Sequence, residues 1–210
     1  MKVLALCGDA WHRPEIARTG LGTLAGEDFT FDWIEVIQNW TPNVLTSYPL
    51  VILAKSGNCS DVEKTHWMTD SIQSAFSDYV MRGNGLLAIH SGTVEYEQKP
   101  VIRNLLGGVF LHHPEQCLVN ICPRRRHPLC SGIGQFTVID EHYFVALDDP
   151  RADVFLTTKS MNGDQPAGWR PEPGKGRVVI LTPGHNLDVW LHPSYQALLR
   201  NSLAWCAKVI

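Results

Sequence analysis

Short apolar runs, each closed by small or polar residues, recur along the chain. Val3 to Cys7, Leu50 to Ala54 and Leu86 to Ile89 are such runs, and all three are apolar throughout. Runs of this length and character are typical of strands that are buried on both faces of a parallel sheet. The pattern therefore predicts a buried sheet in which polar side chains gather where the strands end.

Segments between these runs repeat apolar residues at helical spacing. The clearest is Trp67 to Arg82, where an apolar stripe predicts a helix that Gly83 caps at its C-terminus. Further helices are predicted to begin at Pro14, to span Pro100 to Leu106 and to run from about His192 to Lys208. Strands that alternate with helices predict a mainly parallel sheet covered by helices on both faces.

The second half of the chain departs from this alternation. The stretch from Val109 to Thr158 is rich in strand-like segments, which predicts a small strand-rich insertion beside the parallel sheet. Met161 to Gly176 is rich in glycine and proline and is predicted to be a loop that carries Trp169. A last buried strand is predicted from Arg177 to Leu181.

Length, charge and cysteine content narrow the class of protein. The 210 residues suit one domain, 1–210, and the formal net charge of −3 with one short basic run, Arg124 to Arg126, argues against nucleic-acid binding. The sequence has no apolar run of membrane-spanning length, and its first residues lack the pattern that would lead us to expect a secretory leader. Six cysteines without a C-x-x-C pair suit a reducing compartment, so we expect a soluble cytoplasmic protein.

Titratable residues stand directly after several predicted strands. His90 follows the central strand, Asp140 and Glu141 follow the strand that begins at Phe136, and His185 comes after the last strand. In open α/β sheets ligands bind beyond the carboxyl ends of the strands, and histidine can act there as acid, base or metal ligand. We therefore predict that His90, Glu141 and His185 are the catalytic residues, with the carboxylate orienting a histidine or sharing its proton.

A second group of residues is predicted to hold the substrate. Some of them also have a structural interpretation: His113 can belong to a turn, Tyr143 can pack on the sheet, and Trp169 can pin its loop rather than stack on a sugar. His12 and His66 are interpreted as surface residues. The predicted substrate-binding residues are Ser91, Gly92, His113, Tyr143, Trp169 and Asn186.

Several common signatures are missing from the sequence. It has no G-x-G-x-x-G after the first strand, no Walker loop, no H-E-x-x-H and no G-x-S-x-G. Dinucleotide binding and a helix-borne zinc site of that kind are therefore not expected. Ala88 to Gly92 nevertheless has the strand-then-small-residue character of a nucleophile elbow.

Several short motifs lie in a recognisable order along most of the chain. They are Gly85 to His90, Gly107 to Phe110 with His113-Pro114, His127-Pro128, Asp140 to Tyr143, Trp169, Gly174 to Val179 with Pro183 to His185, and Asn201 to Trp205. This ordered set resembles the ThuA-like (trehalose utilisation) family, within the class I glutamine amidotransferase-like superfamily. The resemblance implies a three-layer, flavodoxin-like α/β sandwich and a role in the metabolism of trehalose or a related disaccharide or keto-sugar.

The chain departs from glutamine amidotransferases where those enzymes carry their catalytic cysteine. His90 stands at that elbow, and Asn186-Leu187-Asp188 follows His185 in place of the usual H-x-E continuation. A thiolate is the attacking group in glutamine hydrolysis, so we expect this activity to be lost. ThuA-like proteins share the loss. A cysteine hydrolase of the same superfamily would need a cysteine beside His185.

Two classes of function remain open. In the first, the protein is an enzyme whose histidines and Glu141 perform acid–base chemistry on a sugar, or bind a divalent metal such as zinc that assists it. In the second, it is a non-catalytic sugar-binding or assembly module that kept the fold. Convergence of the polar strand ends in one pocket favours the enzyme. A small carbohydrate is the expected partner, and homo-oligomerisation is expected by analogy with the fold.

Overall fold

The computed structural model describes residues 1–26, 28–37, 40–59 and 65–209, which form a nine-stranded sheet, a separate pair of strands and the helices that cover them. In chain order the strands are β1 (Lys2–Cys7), β2 (Thr30–Ile34), β3 (Leu50–Ala54), β4 (Gly85–Ile89), β5 (Gly108–His112), β6 (Cys117–Pro123), β7 (Phe136–Asp140), β8 (Phe144–Leu147), β9 (Asp153–Ser160), β10 (Gly163–Arg170) and β11 (Arg177–Leu181). The order across the large sheet is β2-β1-β3-β4-β11-β10-β9-β6-β7.

The large sheet has a parallel half and an antiparallel half. The strands β2, β1, β3, β4 and β11 run parallel, as the apolar runs in β1, β3 and β4 predicted. The strands β10, β9, β6 and β7 are antiparallel to their neighbours, and three of them lie in the strand-rich segment predicted from Val109 to Thr158. The strands β5 and β8 pair in a small sheet of their own.

Helices cover both faces of the sheet. They are α1 (Pro14–Gly22), α2 (Asp70–Met81), α3 (Pro100–Leu106), α4 (Leu187–Leu191) and α5 (Pro193–Cys206). Successive side chains of a strand point to opposite faces, so β1 contributes Val3 and Ala5 to the core under α1, α4 and α5, and Leu4 and Leu6 to the core under α2 and α3. The predicted three-layer α/β sandwich is confirmed.

Two helix boundaries differ from the prediction. The helix predicted from Trp67 begins at Asp70, because the hydroxyl of Thr69 accepts the Ile72 N–H at 3.4 Å and caps its first turn. The Trp67 indole N–H instead donates to the Ser56 carbonyl at 2.7 Å and ties the preceding loop to the end of β3. The last helix begins at Pro193, as predicted, but it ends at Cys206 rather than at Lys208, and the short α4 precedes it.

The prediction of a loop from Met161 to Gly176 is wrong, because β10 lies within it. Its glycine and proline content concealed the strand. Gly168 is required there since a Cβ atom would lie 2.8 Å from the Leu156 Cβ, and the pairing with β9 shifts register between Pro166 and Gly168. Proline and glycine within a sheet are typical of such irregular positions.

The antiparallel half curves back towards the parallel half. In the sheet order, β10, β9 and β6 separate β7 from β11. The Asp140 carboxylate at the end of β7 nevertheless accepts the backbone N–H groups of Gly184 (2.9 Å) and His185 (3.0 Å), which follow β11. This curvature brings the residues after β7 over the carboxyl ends of the parallel strands.

Candidate functional site

Four loops meet near the carboxyl ends of the parallel strands. They follow β1, β4, β7 and β11 and carry His12, His90, Glu141 and His185, which we call the His–Glu cluster. Each side chain offers one nitrogen or carboxylate oxygen, and these four atoms lie within 4.8 Å of one another. The structure therefore brings together the three residues that were predicted to be catalytic and adds His12 to them.

His90 occupies a sharp turn directly after β4. Its φ of +49° lies in the left-handed region, which residues other than glycine seldom adopt. Its Nδ1 lies 2.7 Å from the Thr182 carbonyl oxygen, so Nδ1 carries the proton and donates it. Nε2 faces the Tyr143 hydroxyl at 2.9 Å and Glu141 Oε2 at 3.3 Å. Burial lowers the pKa of His90 and favours the neutral imidazole.

Glu141 stands between the imidazoles of the cluster. Its Oε1 lies 3.1 Å from His185 Nδ1 and 3.6 Å from His113 Nε2, while Oε2 faces His90. Burial disfavours the carboxylate, but the contacts with His185 and His90 outweigh burial and hold the pKa of Glu141 well below its ordinary value. Glu141 is therefore an anion at neutral pH.

His185 contacts Glu141 without forming a well-directed hydrogen bond. Its Nδ1 is within ion-pair distance of Oε1, yet the geometry fails for a hydrogen bond between them. The nearby carboxylate still raises the pKa of His185, and burial opposes that rise. The Asp140 carboxylate holds the backbone of this loop, so the imidazole projects from a fixed position.

His12 is the member of the cluster that the sequence did not predict, and its interpretation as a surface residue is wrong. The loop after β1 folds back because Asp9 Oδ1 accepts the backbone N–H groups of Trp11 and His12, both at 3.0 Å. The same oxygen lies 2.7 Å from His12 Nδ1. A signal was available, since Gly8-Asp9 closes the first strand just as polar residues close the others.

Two nitrogens of the cluster lack a hydrogen-bond partner among the residues that the structure describes. They are His12 Nε2 and His185 Nδ1, and both atoms are buried. Buried polar groups in native proteins nearly always have a partner, and exceptions mark a strained site, a catalytic role, or a bound water or ion. The cluster therefore has the character of a site that binds something.

An open cleft of about 390 Å³ lies over the cluster. Trp11, Phe110 and Tyr143 give it an aromatic wall, and Trp11 is 69% exposed. Beneath the imidazoles lies a second cavity of about 20 Å³, which is room for about one water molecule. The remaining residues that line the cleft are His12, Val94, His113, Glu141 and His185.

Cys7 lines the small cavity together with His185, so it is the cysteine that the hydrolase alternative would require. Its side chain is buried at the end of β1. Burial raises the pKa of the Cys7 thiol to about 12, so the thiol stays protonated at neutral pH. Since the thiolate is the nucleophile in cysteine chemistry, the geometry gives that alternative no support.

Ser91 and Gly92 lie behind His90 rather than in the cleft. Both are buried in the 3-10 turn His90–Thr93. A Cβ atom at Gly92 would collide with the Leu53 carbonyl oxygen, so glycine lets the turn pack directly on β3. Ser91 lines the small cavity. The prediction that these two residues bind substrate is therefore corrected: they shape the turn that presents His90.

Trp169 and Asn186 are also corrected. Trp169 is fully buried in β10, and its indole N–H donates to the Leu106 carbonyl at 2.8 Å, so it leaves no ring face open to a sugar. The Asn186 side-chain amide donates to Gln116 Oε1 at 2.8 Å and to the Ile139 carbonyl at 3.0 Å. These bonds fasten the loop after β11 to the end of β7, which is a structural role.

His113 and Tyr143 do line the cleft. His113 is exposed at the rim, where its Nδ1 donates to the Pro114 carbonyl at 2.7 Å. Tyr143 is nearly buried and stacks on His90 with ring centroids 4.2 Å apart. Tyr143 therefore packs against the sheet side of the site and presents its hydroxyl to the cluster. Contact of either residue with substrate stays a prediction.

Solved structures with the same fold include two described as ThuA-like. The one from Parabacteroides merdae ATCC 43184 superposes with a TM-score of 0.76 at 17% identity, covering 100% of this chain and 90% of that chain. The one from Bacteroides uniformis ATCC 8492 gives 0.77 at 20% identity, covering 98% and 91%. A cytoplasmic protein from Salmonella typhimurium gives 0.70 at 16% identity, covering 98% and 99%. At these identities the likeness shows the fold alone.

Sequence comparison assigns the chain to a family. Among curated proteins, none matches it. In the part of the chain that the structure describes, each helix is too short or too polar to cross a bilayer. The ThuA family model, described as trehalose utilisation, matches residues 2–206. This chain therefore belongs to the ThuA, or trehalose utilisation, family.

Proposed function

We propose that this protein is an enzyme of carbohydrate metabolism that acts on trehalose, a related disaccharide or a keto-sugar by acid–base or metal-assisted chemistry. The observation that carries the proposal is the convergence of the His–Glu cluster at the floor of an open cleft. A non-catalytic module would have no need to keep three histidines and a carboxylate together. Membership of a family named for trehalose utilisation supports the class of substrate.

The size and lining of the cleft support a sugar as the ligand. Its volume of about 390 Å³ lies within the range of about 300–1,000 Å³ that is common for small-molecule sites. The exposed Trp11 offers a flat apolar ring against which the C–H face of a sugar can pack, with Phe110 beside it. His113 and Glu141 supply polar atoms for the sugar hydroxyls.

In the metal-free form of the proposal, His185 and Glu141 are the proton-transfer pair. The pKa of His185 is raised by Glu141, which suits it to donate a proton to the carbonyl oxygen of a keto-sugar. Glu141 takes a proton from the neighbouring carbon, which yields an enediol. Glu141 then returns its proton to the former carbonyl carbon, and His185 recovers a proton from the second oxygen, which completes an isomerisation.

Turnover of sugars tests the proposal. Trehalose, related disaccharides and their keto derivatives are incubated with wild type, with His185→Asn and with the control His112→Asn, whose exposed ring packs on Phe144. We expect His185→Asn to lose at least about 100-fold in kcat/KM and the control to match wild type. Sugar binding without turnover would favour the sugar-binding or assembly module, and absence of both would contradict the proposal.

Two further expectations stay predictions. A homo-oligomer is expected from the surface that the strand-rich segment adds to the sheet, and sedimentation analysis of the purified protein measures it directly. A cytoplasmic location is expected from the composition of the chain, and fractionation of cells measures that.

A further inference from the structure

We propose that the His–Glu cluster is a binding site for one divalent transition-metal cation, with Zn²⁺ as the expected ion. His12, His90 and His185 each provide one ring nitrogen, and Glu141 provides a carboxylate oxygen. This inference selects the metal-assisted form of the proposed chemistry. The role of the metal in catalysis therefore rests on the proposed function. The presence of the site itself follows from the cluster alone.

The spacing of the donor atoms is close to what a cation requires. Zinc binds nitrogen and oxygen at about 2.0–2.2 Å, so ligands at the corners of a tetrahedron lie about 3.4 Å apart. Glu141 oxygens already lie 3.1 Å from His185 Nδ1 and 3.3 Å from His90 Nε2. The widest pair in the cluster lies within 4.8 Å, so an inward movement of about an ångström completes the site.

The unpartnered nitrogens are the second, independent observation. Among the described residues, neither His12 Nε2 nor His185 Nδ1 has a hydrogen-bond partner, although both atoms are buried. Leaving a buried polar atom without a partner destabilises the folded protein, and a cation would bind both nitrogens at once. His185 Nδ1 keeps its ion-pair contact with Glu141, so His12 Nε2 is the atom that most clearly needs a ligand.

The groups behind the imidazoles fix the required tautomers. His12 Nδ1 donates to Asp9 Oδ1 at 2.7 Å, and His90 Nδ1 donates to the Thr182 carbonyl at 2.7 Å. In both rings the lone pair is thereby placed on Nε2, the nitrogen that faces the cluster. Metal-binding histidines nearly always donate their other N–H to a carboxylate or a backbone carbonyl, and this second shell orients the ring and raises its basicity.

The charges around the site favour a cation. The carboxylates of Asp9 and Asp140 are buried behind the cluster, and Glu141 lies within it. Lys55, which is buried beside Gly8, offsets one of these negative charges. A divalent cation would be attracted by the carboxylates that remain. Three imidazoles with one carboxylate suit zinc and its neighbours in the first transition row, whereas Ca²⁺ and Mg²⁺ prefer oxygen ligands.

The site is placed to act on a substrate in the cleft. His12, Glu141 and His185 line the cleft, so a sugar oxygen can approach a cation that they hold. The cation would then polarise that oxygen as a Lewis acid, which replaces proton donation by His185 in the metal-free scheme. Trp11 and His113, which also line the cleft, remain available to bind the sugar.

Metal binding by the stripped protein tests the inference. Untagged full-length protein is freed of metal with a chelator and titrated with Zn²⁺ by calorimetry, and Mn²⁺, Co²⁺, Ni²⁺ and Cu²⁺ are tested in parallel. We expect one Zn²⁺ per chain and a rise in the unfolding temperature on binding. His12→Ala and His185→Ala should each weaken Zn²⁺ binding by at least about 100-fold, and Asp9→Asn by about 10- to 100-fold. The matched control His112→Ala should bind as wild type does.

The outcomes separate the inference from the proposed function. Wild type that binds none of these ions stoichiometrically, or cluster variants that are folded by circular dichroism and bind Zn²⁺ as tightly as the control, would overturn the metal site. If the metal-free protein still turns over a sugar, the proposed function stands without the metal. If Zn²⁺ binds as expected but no sugar is bound or converted, the metal site stands and the proposed function fails.

Discussion

Two carboxylates of this protein are each surrounded by basic side chains, and they differ in whether their partners are satisfied. Glu141 lies in the His–Glu cluster after β7. Asp153, at the start of β9, binds Arg124 at 2.5 Å, Arg170, and His127 at 3.3 Å; we call these four residues the Asp153 network. In both groups the basic neighbours outweigh burial and hold the pKa of the carboxyl below its ordinary value.

The two groups diverge in their hydrogen bonds. In the Asp153 network, His127 uses both ring nitrogens, since Nε2 faces Asp153 and Nδ1 accepts the Leu129 N–H at 3.3 Å. In the His–Glu cluster, His12 Nε2 has no such partner among the described residues, and His185 Nδ1 has only its ion-pair contact with Glu141 at 3.1 Å. A network whose polar atoms all have hydrogen-bond partners needs no ligand. Buried polar atoms without partners are explained by a ligand that binds them.

The volumes of the two neighbouring clefts do not distinguish the His–Glu cluster from the Asp153 network. The cleft beside the Asp153 network measures about 480 Å³, and the cleft over the His–Glu cluster measures about 390 Å³. Most charges that border the larger cleft are paired, including Asp148 with Arg103 at 2.7 Å and Asp149 with Arg151 at 3.1 Å. The candidate site is therefore identified by buried polar atoms that lack hydrogen-bond partners, and not by the volume of its cleft. The following predictions test that interpretation.

The largest effect is expected from Glu141→Gln. The substitution keeps the shape of the side chain but removes the charge that the imidazoles surround, so sugar turnover should fall at least about 100-fold. The free energy of unfolding should also fall, by about 1–3 kcal/mol, because the lowered pKa of Glu141 means that its ionised form stabilises the folded protein at neutral pH. Steady-state kinetics and urea unfolding measure the two quantities. A variant that loses stability but keeps wild-type turnover would show that Glu141 has a structural role and not a catalytic one.

A loss of stability without a loss of turnover is expected from Asp153→Asn. Arg124, Arg170 and His127 lose their common anion, so the free energy of unfolding should fall by about 2 kcal/mol while turnover of the folded protein stays close to wild type. Urea unfolding measures the loss. The control is Asp149→Asn, which breaks an exposed pair with Arg151 and should leave stability unchanged. Loss of activity without loss of stability would contradict the structural role of the network.

The same network predicts a pH dependence of stability. Its basic partners lower the pKa of Asp153 from 3.8 to about 2 in the folded protein, against the opposing effect of burial. The unfolded chain therefore binds more protons between these values, so stability rises with pH in that window. The advantage of wild type over Asp153→Asn should be complete above about pH 5 and disappear as pH falls towards about 2. An advantage that persists unchanged at the acid end of this window would show that charge is not its source.

The sequence predicted the parts of the site that local pattern determines. His90 and His185 follow strands that are apolar apart from Arg177, and parallel strands place their carboxyl ends at one edge of the sheet. Glu141 follows an edge strand, β7, and reaches the same place because the antiparallel half curves back and Asp140 bonds to the loop after β11. That curvature depends on the whole sheet and has no local signal.

The errors have equally specific causes. His12 lies five residues beyond the end of β1, and only the turn that Asp9 forms returns it to the cluster. Trp169 was expected in a loop because Gly163, Pro166 and Gly168 obscured the strand that buries it. In each case, hydrogen bonding or close backbone packing outweighed the local composition from which the prediction was made.

The smallest predicted effect compares the tryptophans of the two clefts. Trp11 is 69% exposed over the His–Glu cluster, whereas Trp169, beside the Asp153 network, is fully buried. Trp11→Ala should raise KM for the sugar roughly 3- to 10-fold with little change in kcat, because the ring contributes packing and no proton transfer. Trp169→Phe should leave KM unchanged but cost about 1 kcal/mol of stability, because the bond to Leu106 is lost. If Trp169→Phe raises KM and Trp11→Ala does not, the sugar binds in the cleft beside the Asp153 network.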